Sequence, residues 1–172
     1  MNQRPMVTGL FNDRESAEFA YGAAAERGYG KDDINLMMSD ETRQRHFRGD
    51  ADGQTELGSK AAEGAGIGGA VGGTVGAVLA AIAAVGTSIA IPGLGLVIAG
   101  PVAAALAGAG AGAATGGIIG ALVGSGIPKE RVTHYEEGIK KGGIVMGVTP
   151  RSDEDAAHLE QSWKTRGTHV FR

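Results

Sequence analysis

Between Gly64 and Pro128 the chain carries no ionisable side chain at all. A stretch of that length and character cannot leave its whole surface in water, so it has to be buried in protein or in lipid. Within it glycine recurs every fourth residue, at Gly64, Gly68, Gly72 and Gly76. Each glycine in a helix interior costs about 1 kcal/mol relative to alanine, so a repeated one needs a compensating role. A second ladder with the same step runs from Gly100 through Ala104, Gly108, Gly112, Gly116 and Gly120 to Gly124. On a helix either ladder forms one stripe, while Ile67, Val71, Val75, Val78, Ile82, Val85 and Ile89 cluster on a different side.

The spacing predicts two helices, Gly64–Ile91 and about Gly100–Gly124, joined at the helix breakers Pro92, Gly93, Gly95 and Pro101. Small residues let backbones approach closely, so the helix-packing seam is assigned to Gly64, Gly68, Gly72, Gly76, Gly108, Gly112, Gly116, Gly120 and Gly124. At 1.5 Å per residue each helix would reach roughly 37–42 Å, more than the ~30 Å of a hydrocarbon core. The branched residues of the first helix would contribute a gross insertion gain of only about 3–5 kcal/mol. The expectation is a glycine-zipper hairpin over 63–126 in lipid contact, in a bacterial inner membrane. Arg43, Arg45, Arg48 and Lys60 before it, and Lys129, Arg131, Lys140 and Lys141 after it, place both flanks on the cytoplasmic side. The alternative is a hairpin buried in a homo-oligomeric cytoplasmic assembly.

The flanks read as ordinary globular sequence. Residues 1–40 contain "MVTGLF", which alternates like a strand, then "NDRESAEFAYGAAAERG". Here Asn12 and Glu15 suggest a capping box, Ala17, Ala20, Tyr21 and Ala24 an apolar face, and Gly28 a stop. "INLMM" follows as a second strand. Residues 41–62 are polar and glycine-broken, and read as a linker. Residues 127–172 open with a helix after Pro128 in which Val132, Tyr135 and Ile139 share a face and Gly142 is the stop. Then come the strand "GIVMGV", a helix capped by Ser152 with Ala156, Leu159 and Trp163 inward, Gly167, and the strand "HVFR". Val7–Leu10 and Glu26–Gly28 echo Val145–Val148 and Thr165–Gly167. Two β-α-β units of this kind predict an α+β fold: a ferredoxin-like four-stranded antiparallel sheet with helices on one face, split by the hairpin.

The chain resembles the bacterial heat-induced, general stress protein family. The resemblance rests on "VTGLFNDRESAEFA", on "GYGKDDINLMMSDE" and above all on "GIPKERVTHYEEGIKKGGIVMGVTPRSDEDA". It covers both globular flanks and implies stress-linked expression without an established catalytic activity or catalytic residues to transfer.

Chemistry is sparse. Net charge is −3, which provides no basic field for nucleic acid, and there is no cysteine for disulfides, thiolate nucleophiles or thiolate metal sites. No signal peptide is expected from the first residues. Gly64, Gly66 and Gly69 match a dinucleotide fingerprint, but helix-like "SKAAE" precedes them where a strand is required. Asp50, Asp52 and Gly53 lack the remaining ligands of a calcium loop. His46, His134, His158 and His169 are scattered, with no two at metal-binding helical spacing, so neither metal nor cofactor is expected. His134 beside Tyr135, Glu136 and Glu137 is the one proton-transfer candidate, and a surface helix explains it better. The functional expectation is a non-enzymatic, self-associating structural stress protein anchored through the hairpin. The alternative is a soluble regulatory or small-ligand-binding ferredoxin-like module with the hairpin buried in a homo-oligomer.

Overall fold

The structure, a computed structural model, describes residues 5–30, 32–47, 87–91, 94–101, 103, 117–124 and 127–172. Six strands, β1 (Val7–Phe11), β2 (Ile34–Ser39), β3 (Thr87–Ile91), β4 (Leu94–Ala99), β5 (Ile144–Val148) and β6 (Thr168–Phe171), form one sheet in the order β3-β4-β2-β5-β1-β6. Every neighbouring pair is antiparallel. The sheet has two ends and is not a closed barrel. Among the described residues five helices accompany it: α1 (Arg14–Glu26), α2 (Asp40–Phe47), α3 (Gly117–Gly124), α4 (Lys129–Lys140) and α5 (Asp153–Trp163). The fold is mixed α/β.

Strand alternation divides the core in two. Val7 and Phe11 of β1, Ile34, Leu36 and Met38 of β2, and Ile144, Met146 and Val148 of β5 share one face with α1 and α5. Trp163 is its largest member: its indole N–H donates to the Ala20 carbonyl at 2.9 Å, and its ring meets Phe11 edge-on at 5.7 Å. The opposite residues, Leu10, Met37 and Val145, pack with Leu96, Ile98 and Leu122 against Val132, Tyr135 and Ile139 of α4. Helices therefore cover both faces, where a single helical layer was expected. The apolar stripe of α4 needs its own cover, and β1, β2 and β5 each present a second apolar side to provide it.

The local signals mostly hold. Gly28 and Gly142 follow α1 and α4 at φ +79° and +94°, the left-handed geometry that glycine adopts without a Cβ penalty. Ser152 caps α5 by accepting from the Asp155 N–H at 3.0 Å. At α1 the cap is Asp13, which accepts from the Ser16 N–H at 2.7 Å, and not the expected Asn12–Glu15 box.

The apolar block departs furthest from expectation. Its first predicted helix was to run to Ile91, but Thr87–Ile91 is strand β3. The predicted tip supplies β4, which pairs with β2 from Leu36↔Ala99 to Ser39↔Leu96. Leu96 and Ile98 are fully buried in the α4 side of the core. Alternating Leu94, Leu96 and Ile98, rich in branched residues, suits an edge that needs a partner more than it suits a turn. Of the second helix, α3 is described; its Leu122 is also buried in that core. Among the described residues no helix is long and apolar enough to cross a membrane. The membrane-anchoring hairpin, its lipid contact and the inner-membrane placement thus lose their structural basis. In the expected seam, Gly120 and Gly124 belong to α3, whereas Gly64, Gly68, Gly72, Gly76, Gly108, Gly112 and Gly116 lie outside the described residues. The expected linker begins with helix α2, whose Thr42 and Phe47 are buried.

Candidate functional site

On the α4 side of the sheet most inward positions are apolar, with one row apart. Thr8, Gly147 and Asn35 are in register across β1, β5 and β2, Thr8↔Gly147 and Asn35↔Gly147. Thr8 and Asn35 are only 1% and 3% exposed. Burying a hydroxyl and an amide is costly unless partners are supplied. Among its contacts, the Asn35 amide donates to the Gly147 carbonyl at 3.4 Å and lies 3.6 Å from the Met6 sulfur. Gly147 leaves room for the Met6 thioether: a Cβ at this glycine would stand 2.8 Å from Met6 Sδ. Met6 itself is only partly buried, so a flexible side chain at the sheet margin covers a polar floor.

Tyr135 closes the other end of the row. Its phenol oxygen lies 2.8 Å from the His169 carbonyl and 2.7 Å from Thr8 Oγ1. A carbonyl only accepts, so the phenol proton goes to His169 O and the Thr8 hydroxyl donates to the phenol oxygen. Burial pushes the Tyr135 hydroxyl up to about 12, against the opposing influence of the Thr8 hydrogen bond and the Arg131 charge. The group is a neutral hydrogen-bonding fixture over the working range of pH.

Beyond Tyr135 lies an exposed pair of histidines. The rings of His134 on α4 and His169 on β6 are stacked, with centroids 4.6 Å apart and planes 19° from parallel. A bulge in β6 brings them together. Thr8 opposes Phe171 and Leu10 opposes Thr168, so His169 and Val170 both fall opposite Gly9. Val170 packs towards the α1–α5 core, and the extra residue, His169, stacks on α4. His169 is at φ +51°, the left-handed region, which is uncommon for a residue with a side chain. Beside the pair, Arg131 donates to the Arg172 carbonyl at 2.7 Å and lies 4.9 Å over the Phe171 ring; Arg172 pairs with Asp153.

A third polar cluster joins the two β-α-β units and is structural in character. Tyr29 donates to Asp155 at 2.8 Å and accepts from the Arg151 N–H at 2.7 Å. Arg27 reaches Asp155 at 2.9 Å, and Arg151 reaches Asp33 at 2.9 Å while lying over the Tyr29 ring. The Tyr29 hydrogen bond, with those from Ser152 and Arg27, holds the Asp155 carboxyl below the usual range despite its partial burial.

The proton-transfer candidate, which a surface helix explained better, does not assemble. Tyr135 turns into the core, Glu136 pairs with Lys140 at 2.6 Å, and His134 faces His169. His46 lies in the last turn of α2, its carbonyl accepting from Arg14, and His158 sits on α5 with Nε2 enclosed. Gly64, Gly66, Gly69, Asp50, Asp52 and Gly53 lie outside the described residues. Sequence reading missed the His134–His169 pair and the Thr8–Gly147–Asn35 row, because the first is assembled by a helix packing beside a strand and the second by strand pairing, each across more than 25 residues of chain. The one local clue was a polar Asn35 and a Thr8 inside otherwise apolar strands. Comparison with protein-family models, with curated proteins and with solved structures found no match to this chain.

Proposed function

We propose that the chain is a non-catalytic regulatory module that binds a small, uncharged ligand between its sheet and helix α4. The reading includes a ferredoxin-like core of β2-β5-β1-β6 with α1 and α5, extended by the β3–β4 hairpin and the α3–α4 layer. The order of the four strands and their origin in two β-α-β units support it. The resemblance to the heat-induced, general stress proteins belongs to the same proposal and supplies the expectation of a stress-linked role.

One observation carries the ligand reading: the buried row Thr8–Gly147–Asn35, floored by glycine and covered by Met6. None of these groups carries a formal charge, so the row favours a hydroxyl, amide or carbonyl over an ion, which would be stranded without a counter-charge. The ligand takes the place of the Met6 thioether and is correspondingly small. The test is a titration of the full chain, labelled at the methionine methyl groups, with acetamide and, separately, acetate. Acetamide is expected to move the Met6 resonance saturably, and Asn35→Leu to abolish the movement. Absence of a saturable shift, an equal shift in Asn35→Leu, or a preference for acetate overturns the proposal.

A further inference from the structure

We infer that His134 and His169 form an open, two-imidazole site for a tetragonal divalent transition-metal ion of the copper(II) type. The inference is independent of the ligand row. Three observations converge on it. First, the two rings are exposed, come from different elements, and stand 4.6 Å apart. Two imidazoles bound cis through nitrogen at about 2.0 Å have ring centres roughly 4.5 Å apart, so the separation of the centres, though not the stacked orientation of the rings, suits one ion. Second, among the described residues neither imidazole has a hydrogen-bond partner, which leaves a nitrogen lone pair available on each.

Third, His169 is on the α4 side only because of the bulge. A regular strand would turn this residue towards α5, in the place that Val170 takes. The left-handed backbone of His169 is strained, and such strain persists where the surroundings over-determine it, often beside functional sites. Here the carbonyl of the same residue is held by the Tyr135 phenol at 2.8 Å, which fixes the base of the imidazole against α4.

Copper(II) is the favoured ion on chemical grounds. Imidazole binds it more strongly than the other first-row divalent ions, and two nitrogens completed by water satisfy its tetragonal preference. No group of three or more His, Cys, Asp or Glu side chains that could hold a metal occurs among the described residues, so a closed structural cage is not the type of site on offer. The rings lie near parallel, and converging their nitrogens needs rotation about χ2, a broad and roughly twofold torsion. The neighbouring cations are engaged elsewhere: Arg131 with the Arg172 carbonyl and the Phe171 ring, Arg172 with Asp153.

The experiment is electron paramagnetic resonance and calorimetry of the full chain with one equivalent of copper(II). The expected spectrum is tetragonal, with hyperfine structure from two imidazole nitrogens. His134→Gln and His169→Asn should each weaken binding by roughly tenfold or more, since the second ligand acts at high effective concentration. Asparagine is chosen because it tolerates the left-handed backbone. His46→Gln and His158→Gln are expected to change nothing. Should His169→Asn lose the near-ultraviolet signal of Trp163, His134→Gln, on an exposed helix face, decides the matter. An unchanged affinity and spectrum in His134→Gln, or coordination by a single imidazole in the parent chain, overturns the inference.

Discussion

Tyr135 shows how much one hydroxyl depends on distant chain. Its ring was readable as core from the shared face of Val132, Tyr135 and Ile139. Its partners were not, since Thr8 and His169 are 127 and 34 residues away. The pH consequence follows from its raised value of about 12. In the unfolded chain a tyrosine ionises near 10, so between these values the folded state holds a proton that the unfolded state has lost. The contribution is fully present below pH ~10 and is lost as pH rises through about 12, on the order of 2–3 kcal/mol. Tyr135→Phe should remove that part of the alkaline destabilisation, and at neutral pH cost about 1–3 kcal/mol for the stranded Thr8 and His169 groups. Urea denaturation of both chains at pH 7, 10 and 12 measures the difference. Parallel loss of stability in the two chains would rule this account out.

At the scale of elements, the β3–β4 hairpin is where a helix was expected. A short run of leucine, isoleucine and valine fits a buried strand and a buried helix about equally well, and the available partner decides. Here β2 offers an edge, and Leu96 and Ile98 complete the apolar surface beneath α4. Truncating either buried side chain, Leu96→Ala or Ile98→Ala, should destabilise by roughly 2–5 kcal/mol. Ile119→Ala, at an exposed position of α3, should stay within about 0.5 kcal/mol. Thermal or urea unfolding followed by Trp163 fluorescence distinguishes them; equal effects at the three positions would mean that the hairpin contributes no core. At the opposite end of the sheet, the bulge in β6 also bends that edge away from the flat geometry that recruits further strands.

Across the whole molecule, the two globular flanks interdigitate. In the run β2-β5-β1-β6 the strands alternate between the first flank and the last, so neither flank contains a neighbouring pair of its own. Joint folding of the flanks, which the matching β-α-β patterns suggest, has here a geometric reason. A chain joining residues 1–40 directly to 126–172 nevertheless lacks β4 along β2 and lacks Leu96, Ile98 and Leu122 beneath α4. Such a chain should unfold at a clearly lower urea concentration than one that also retains residues 86–125, and should aggregate through the uncovered β2 edge. Light scattering alongside the urea titration tests both effects. A shortened chain with the same midpoint would show the apolar block to be an appendage.

The signals that span a turn or less were legible in the amino-acid order alone. These include the glycines that end α1 and α4, the Ser152 cap, and the apolar faces of α1, α4 and α5 around Trp163. Each depends on residues within about four positions, which contact one another in any fold that contains the element. The apolar block has no polar contrast from which a period could be read, so its conformation in β3, β4 and α3 was set by the sheet edge and the helical face available to it. The row Thr8–Gly147–Asn35 and the pair His134–His169 likewise exist only once β1, β2, β5 and β6 are in register. No local propensity encodes them, because the energy that aligns those strands comes from burying both faces of the sheet at once.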